Sequence, residues 1–157
     1  MVNMIKGTMI SNDEPVYSIS VAAKLLGISI QMLRVYEKEG LILPYKKESG
    51  QRLYSQNDLH RIECIRETIS EKKISINGIK SLYAVIPCWE FINCSMEERE
   101  QCPAYLENTQ PCWSYEEKGL SCHVADCREC KIYMELADCS NAKEVIKNLN
   151  EWGQEKL

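Results

Sequence analysis

The chain has 157 residues, of which 9 are cysteine, 19 are Lys or Arg and 23 are Asp or Glu. This length suits one ordinary domain or two small ones. Nothing resembles a signal peptide, and no apolar run approaches the roughly 18 residues of a membrane span. We therefore expect a cytoplasmic protein, in which clustered cysteines more often bind metal or do redox chemistry than form lasting disulfides.

Cysteine content and charge divide the chain at the same place. Eight of the nine cysteines fall between Cys88 and Cys139, and the preceding residues hold only Cys64. Residues 1–86 carry 12 basic and 9 acidic side chains, whereas residues 87–157 carry 7 basic and 14 acidic ones. Only the first part has a positive net charge, so only it is suited to a polyanion. The sequence therefore predicts two units.

The first unit begins with a predicted flexible arm over residues 1–14, and order is expected from Pro15. Ser20 is expected to cap a short helix that stops at Gly27. Ser29 is expected to cap a second helix, which Gly40 ends. Two short helices separated by a turn that contains Gly are typical of a helix-turn-helix.

The second helix is predicted to have two different faces, because each residue turns the helix by about 100°. The face expected to pack carries Ile30, Leu33, Tyr36 and Glu37. The opposite face carries Gln31, Arg34, Val35 and Lys38. In a DNA major groove, Arg suits guanine, Gln suits adenine and Lys neutralises phosphate. This pattern therefore predicts a DNA-reading face.

A hairpin wing is predicted next, since two extended segments, 41–44 and 51–54, flank a polar turn. Ser55 and Asp58 then form an acidic capping box. The box begins a long helix that is expected to end near Lys72.

The segments that carry a family resemblance are spread over residues 16–86. They are Tyr17-Ser18-Ile19, the run 22–29, Leu33-Arg34-x-Tyr36-Glu37, Gly40-Leu41 and Gly50-x-Arg52-Leu53-Tyr54-Ser55-x-x-Asp58-Leu59. Together they resemble the MerR-type winged helix-turn-helix, and residues 19–23 and 77–80 are closer to its heat-shock-repressor branch. The resemblance implies a domain over 15–86 that binds DNA. It implies contacts at the groove from Ser29, Gln31, Arg34 and Lys38, and contacts to the DNA backbone from Arg52 and Tyr54 of the wing.

Dimerisation is also implied, although not by the family's usual element. Members of this family usually continue into a long helix that forms the dimer, whereas this chain has Pro87-Cys88-Trp89 at that point. A single module of this size seldom binds DNA tightly alone. We therefore expect a homodimer on double-stranded DNA, and nothing in the sequence indicates a membrane or a small-molecule substrate.

The second unit, 87–139, is predicted to be a small, irregular cysteine-rich module. It has few apolar side chains for a core, so it needs metal or disulfides to hold its fold. The candidate thiolate ligands are Cys88, Cys94, Cys102, Cys112, Cys122, Cys127, Cys130 and Cys139. The two Cys-Trp pairs and the neighbouring motifs resemble a small bacterial module that is named for those pairs and is found appended to regulators. A C-terminal amphipathic helix is predicted over 140–157.

Three chemistries remain open for these thiols. Zinc takes four thiolate or imidazole ligands and often uses C-x2-C pairs, of which Cys127 and Cys130 form one. An iron–sulfur cluster also takes four thiolates, tolerates irregular spacing and often has a Pro beside a ligand, as in Cys102-Pro103. Redox-active thiols without metal are the third possibility.

The predicted fold class is mainly α with a small β-hairpin wing, followed by the irregular cysteine-rich module and the C-terminal helix. The leading functional hypothesis is a DNA-binding transcription regulator whose cysteine-rich module senses redox state, oxygen or metal. The alternative is a DNA-anchored protein-interaction module with structural zinc. An enzyme is not expected, because Cys127-x-x-Cys130 lacks a βαβ context and no catalytic constellation is present.

Overall fold

In the computed structural model, the described residues are 4–5, 8–118, 122, 126–136 and 147. This part of the chain is mainly helical and has small antiparallel sheets, which confirms the predicted fold class. Within it, no single helix is long and apolar enough to cross a membrane, and the one helix pair that meets the length and composition requirement is bent by 105°. The predicted C-terminal helix and Cys139 lie outside the described residues, apart from Lys147, which is helical.

The first unit contains five short strands and four helices among its described residues. The strands are β1 Met4–Ile5, β2 Thr8–Met9, β3 Tyr17–Ser18, β4 Tyr45–Lys46 and β5 Arg52–Tyr54. The helices are α1 Ile19–Leu26, α2 Ile30–Lys38, α3 Gln56–Ser70 and α4 Ile76–Ala84. β1 pairs with β2, and the second sheet has the order β3-β5-β4 with antiparallel pairing throughout.

The helix-turn-helix forms as predicted except at its first cap. The hydroxyl of Ser18, not that of Ser20, accepts the Val21 amide at 3.3 Å and caps α1. The reason is that Ser18 ends β3, so the chain turns into the helix there. Gly27 ends α1 in the left-handed region at φ 63°, a conformation that glycine adopts without steric cost.

The wing is real, but its strands differ from the prediction. The first strand is β4, Tyr45–Lys46, rather than residues 41–44, because Leu41 and Ile42 are buried in the core. β3 adds a third strand on the other side of β5, which the sequence analysis missed. The wing is therefore anchored to the segment that leads into α1.

Helix α3 packs the first unit together. The predicted capping box is present, since the Ser55 amide donates to Asp58 at 2.8 Å and the Asp58 amide donates to the Ser55 hydroxyl at 3.1 Å. Arg66 on the same helix donates to the Leu26 carbonyl at 2.7 Å. The buried core residues are Ala22, Ala23, Leu26, Leu33, Tyr36, Leu41, Ile42, Tyr54, Leu59, Ile62, Ile65 and Ile79.

The segment predicted as an arm contains regular contacts in the structure. β1 and β2 form a short hairpin within it. Further on, the Asn57 amide donates to the Asn12 carbonyl at 3.0 Å, and the Asn57 side chain donates to Asp13 at 2.6 Å. Residues just before β3 are thus attached to the start of α3.

The second unit consists of short helical turns around an apolar cluster. Its α-helices are α5 Met96–Gln101, α6 Pro103–Glu107 and α7 Lys131–Glu135, and its 3₁₀ helices are Cys88–Glu90, Cys112–Lys118 and Cys127–Glu129. The cluster is centred on Trp113, Ile132 and Tyr133. Leu43 and Tyr83 of the first unit pack against this cluster, so the two cores share a boundary.

Candidate nucleic-acid interface and cysteine cluster

Helix α2 presents the predicted polar face to solvent. Gln31, Arg34 and Lys38 are exposed, whereas Leu33 and Tyr36 are buried in the core. Ile30 does not pack as predicted, since its side chain is 38% exposed at the start of the helix. The helix therefore offers an amide, a guanidinium and an ammonium on one accessible surface.

Ser29 stands at the N-terminus of this surface. Its hydroxyl accepts the Met32 amide at 3.1 Å and caps α2, and the residue is exposed. A helix N-terminus of this kind favours phosphate, because its first amides lack partners and the helix dipole is positive there. The predicted contact from Ser29 thus has a suitable position.

A groove of about 560 Å³ lies between α2 and the wing. Its lining residues are Arg34, Glu37, Lys38, Leu43, Pro44, Lys46 and Arg52. Four of these seven residues are cations. Because cations concentrated along one groove attract a polyanion, this groove is the surface of the first unit best suited to a phosphate backbone.

Glu37 holds the wing against α2. It pairs with Lys46 at 3.0 Å and with Arg52 at 2.5 Å, so both wing cations are fixed relative to the helix. Burial alone would raise the pKa of Glu37, but hydrogen bonds and charge attraction from Arg52 and Lys46 together lower it. Arg52 therefore positions the wing in addition to its predicted role at the DNA backbone.

We expect Glu37→Gln to lower the free energy of unfolding by about 1 kcal/mol at pH 7, because the partly exposed ion pairs with Lys46 and Arg52 are lost. The lowered pKa of Glu37 means that its stabilisation is complete above the unfolded-state pKa of about 4.3 and is lost as the pH falls through the folded-state pKa. Urea unfolding of wild type and variant should therefore differ at pH 7, and the difference should shrink as the pH falls below about 4.3. Glu48→Gln, at an exposed position of the wing turn, is the matched control and should match wild type throughout. A gap that does not change with pH would contradict this role.

Tyr54 is not part of the exposed surface, which corrects the predicted contact to the DNA backbone. The side chain is fully buried, and burial raises the pKa of its hydroxyl to about 12. Side chains two apart on a strand share a face, so Tyr54 lies on the same side of β5 as Arg52, which faces Glu37. On this side of β5, Arg52 is partly exposed, whereas Tyr54 lies in the core.

Comparison with known proteins gives the family of the first unit. Residues 17–84 match the family described as MerR HTH family regulatory protein. These residues are a MerR-type helix-turn-helix domain. The match ends where α4 ends, so the cysteine-rich unit lies beyond it.

Several curated regulators resemble the chain. The putative heat shock protein HspR of Streptomyces coelicolor is 36% identical over 73 residues, which are 46% of this chain and 48% of that protein. A probable heavy metal-dependent transcriptional regulator of Haemophilus influenzae is 48% identical over 52 residues, 32% of this chain and 41% of its own. Heavy metal-dependent transcription regulator 1 of Rhizobium meliloti is 28% identical over 141 residues, 83% of this chain and 94% of its own. The chain thus spans about half the length of the first two relatives.

Four of the predicted thiolate ligands lie in the apolar cluster beyond the MerR-type domain. They are Cys88, Cys112, Cys127 and Cys130. Burial and the nearby thiols raise the pKa of Cys88 to about 11, and the same two causes raise the pKa of Cys112 further. The Cys88 and Cys112 thiols are therefore protonated at neutral pH unless a metal displaces the proton.

The remaining predicted ligands lie at the edge of this cluster or outside the described residues. Cys94, Cys102 and Cys122 are partly exposed, and Cys94 and Cys102 both contribute to the raised pKa of Cys88. Thiols in an apolar setting suit zinc or an iron–sulfur cluster chemically. As they stand, no three Cys, His, Asp or Glu side chains among the described residues form a group that could hold a metal ion.

The cysteine-rich unit docks on the C-terminal end of α2. The indole N–H of Trp113 donates to the Gly40 carbonyl at 2.7 Å, and the Leu43 amide donates to the Tyr133 hydroxyl at 2.8 Å. Gly40 is at φ 71°, and a Cβ atom there would lie 2.3 Å from the Ser114 hydroxyl. The close approach of the Gly40 and Ser114 segments thus depends on glycine.

Two arginines complete the contact surface between the units, which we call the seam. Arg128 donates to the Leu43 carbonyl and pairs with Asp58 at 3.1 Å. Arg61 is buried on α3, donates to the Tyr133 carbonyl and lies 3.8 Å from the centre of the Tyr133 ring. Sequence patterns gave no signal for Arg61, since a charged residue on a long helix is ordinarily exposed.

Proposed function

We propose that this chain is a sequence-specific DNA-binding transcriptional regulator whose cysteine-rich module senses redox state, oxygen or metal through a thiolate-ligated centre. The observation that carries the DNA-binding part is the exposed row of Gln31, Arg34 and Lys38 beside a cationic groove. These three side chain types supply base contacts and phosphate neutralisation in a major groove. Lys46 and Arg52 reach the adjacent backbone from the wing.

A homodimer is part of the proposal. One MerR-type domain offers a single short recognition helix, and modules of this size bury too little surface for tight binding alone. Two copies on a pseudo-palindromic site place two such helices one turn of DNA apart. The relatives reported above are named as regulators or as a heat shock protein, and none is named as an enzyme.

The sensing part rests on the cysteine cluster and on the names of the relatives. Four thiols share one apolar cluster with a tryptophan and a tyrosine, a setting that shields a cluster or metal from water. Two of the relatives are named as heavy metal-dependent regulators. We propose an iron–sulfur cluster as the centre and zinc as its alternative.

Two measurements on the whole chain test these parts separately. Selection of duplexes from a randomised pool should enrich one sequence if the chain binds specifically. Failure to enrich any sequence would contradict the DNA-binding part. Anaerobic purification followed by metal and acid-labile sulfide analysis should give stoichiometric iron and sulfide with visible absorbance. Zinc that is retained through oxidation and reduction, with unchanged DNA affinity, would instead support a protein-interaction module with structural zinc.

A further inference from the structure

Among the described residues, three hydrogen bonds join the cysteine-rich unit to the turn after α2, and each involves a residue that closely follows a cysteine. Trp113 comes directly after Cys112 and donates to the Gly40 carbonyl. Arg128 comes directly after Cys127 and donates to the Leu43 carbonyl. Tyr133 comes three residues after Cys130, and its hydroxyl accepts the Leu43 amide. Contacts and thiols therefore share the same backbone segments.

The residues that receive these contacts join the two elements that face DNA. Gly40 follows the end of α2, and Leu43 lies two residues before β4 of the wing. Residues 40–43 constrain the angle between helix and wing together with the Glu37 ion pairs, because the segment is only four residues long and both of its ends are held. A displacement of this segment moves the cationic groove lined by Arg34, Lys46 and Arg52.

The contact of Trp113 is buried, those of Tyr133 and Arg128 are partly buried, and the side chains pack on their neighbours. Trp113 and Tyr133 meet edge to face with ring centres 5.1 Å apart, and Tyr83 of α4 lies 5.7 Å from Trp113. Arg128 also pairs with Asp58, the residue that completes the capping box of α3. A packed cluster of this kind responds to displacement as a unit, because close-packed side chains transmit strain.

We propose that Trp113, Arg128 and Tyr133 form a clamp that transmits the chemical state of Cys112, Cys127 and Cys130 to the recognition helix and the wing. This inference rests on the proposed function and names the residues through which the module regulates DNA binding. Ligation or modification of a thiol repositions its backbone segment, and the adjoining clamp residue moves with it. Trp113 and Tyr133 are positioning residues, since they act on DNA through Gly40 and Leu43.

The clamp is tested with Trp113→Phe and Tyr133→Phe in the full chain, which remove one hydrogen bond each and keep an aromatic ring at each position. The Leu43 amide should exchange with solvent about tenfold faster in Tyr133→Phe. Affinity for the selected duplex should fall roughly three- to tenfold in each variant, with little change for random duplex. A loss of folded protein alone lowers the active fraction and leaves this ratio of affinities unchanged.

Trp89→Phe is the matched control, because Trp89 belongs to the other Cys-Trp pair and packs on Tyr105 with ring centres 4.9 Å apart. It should change neither the Leu43 exchange rate nor the affinity ratio. Equal effects of Trp89→Phe and Trp113→Phe would overturn the clamp.

A thiol reagent provides a second test of the clamp. With p-hydroxymercuribenzoate, each thiol exchanges its proton for the mercury atom and the reagent's hydroxide leaves as water. In wild type, this should weaken specific binding about tenfold and speed Leu43 exchange, while the amide of Ile62 in the first core keeps its rate. In the Trp113→Phe/Tyr133→Phe double variant, the mercurial should weaken specific binding by clearly less than about tenfold, because two of the three clamp contacts are already lost.

Additive effects of mercurial and double variant would overturn the clamp, as would an unchanged Leu43 rate. Failure of the clamp can be distinguished from failure of the proposed function. If the wild-type chain selects no duplex, the proposed function fails, while the Leu43 and Ile62 exchange rates still decide whether the thiols control this segment.

Discussion

Trp113→Ala is expected to lower the free energy of unfolding by about 3–5 kcal/mol, which is the range for truncating a buried tryptophan. Trp113 is only 4% exposed, packs against Tyr83 and Tyr133, and donates to the Gly40 carbonyl. The truncation therefore removes contacts on both sides of the seam. Urea unfolding followed by far-UV circular dichroism measures the loss, since most of the helical residues in the described part of the chain lie in α1 to α4.

The seam also predicts how the units unfold. All three tryptophans lie in residues 87–157, so fluorescence reports mainly on the cysteine-rich half. In wild type, the fluorescence and dichroism transitions should coincide, because Tyr83 packs against both cores and Leu43 packs against the second. Trp89→Ala, which removes a half-buried ring away from the seam, should cost less. A dichroism midpoint that Trp113→Ala leaves unchanged would show that the MerR-type domain does not depend on the docked unit.

Arg34→Ala is expected to weaken binding to the selected duplex by about 1–3 kcal/mol, as for the loss of a bidentate contact to guanine. Arg34 is exposed at the middle of α2 and also lines the groove. Fluorescence anisotropy with the selected duplex and with a random one measures the affinity and its specificity. The variant should bind the two duplexes with more similar affinities than wild type does.

Lys72→Ala is the control for Arg34→Ala. It also removes one exposed cation, but it lies beyond the end of α3 and outside the groove. Its effect on both duplexes should be small and equal, because only the long-range charge changes. If Arg34→Ala and Lys72→Ala weakened binding equally, base reading by α2 would be wrong.

Local patterns predicted the elements that local physics determines. The Ser29 and Ser55 caps, the Gly27 stop and the buried positions Leu33 and Tyr36 all follow from neighbours within four residues in sequence. The predictions were wrong where the local structure depends on a partner that is distant in sequence. Ser18, and not Ser20, caps α1 because β3 pairs with β5, some 35 residues away.

The same reasoning explains the two site residues that the sequence misplaced or missed. Tyr54 resembles a surface tyrosine in a polar hairpin, but the alternation of β5 places it on the core side. Arg61 resembles an exposed arginine of an amphipathic helix, but a unit that begins 26 residues later covers it. The contact between Trp113 and Gly40 spans 73 residues, a distance at which hydrophobic periodicity carries no information.

The most direct test of the account is the affinity of the anaerobically purified chain for its selected duplex before and after p-hydroxymercuribenzoate treatment. The thiol cluster contacts the recognition helix through the seam at Gly40 and Leu43. Specific affinity should therefore fall about tenfold, while affinity for random duplex stays the same. Specific affinity that is unchanged after all accessible thiols are blocked would contradict it.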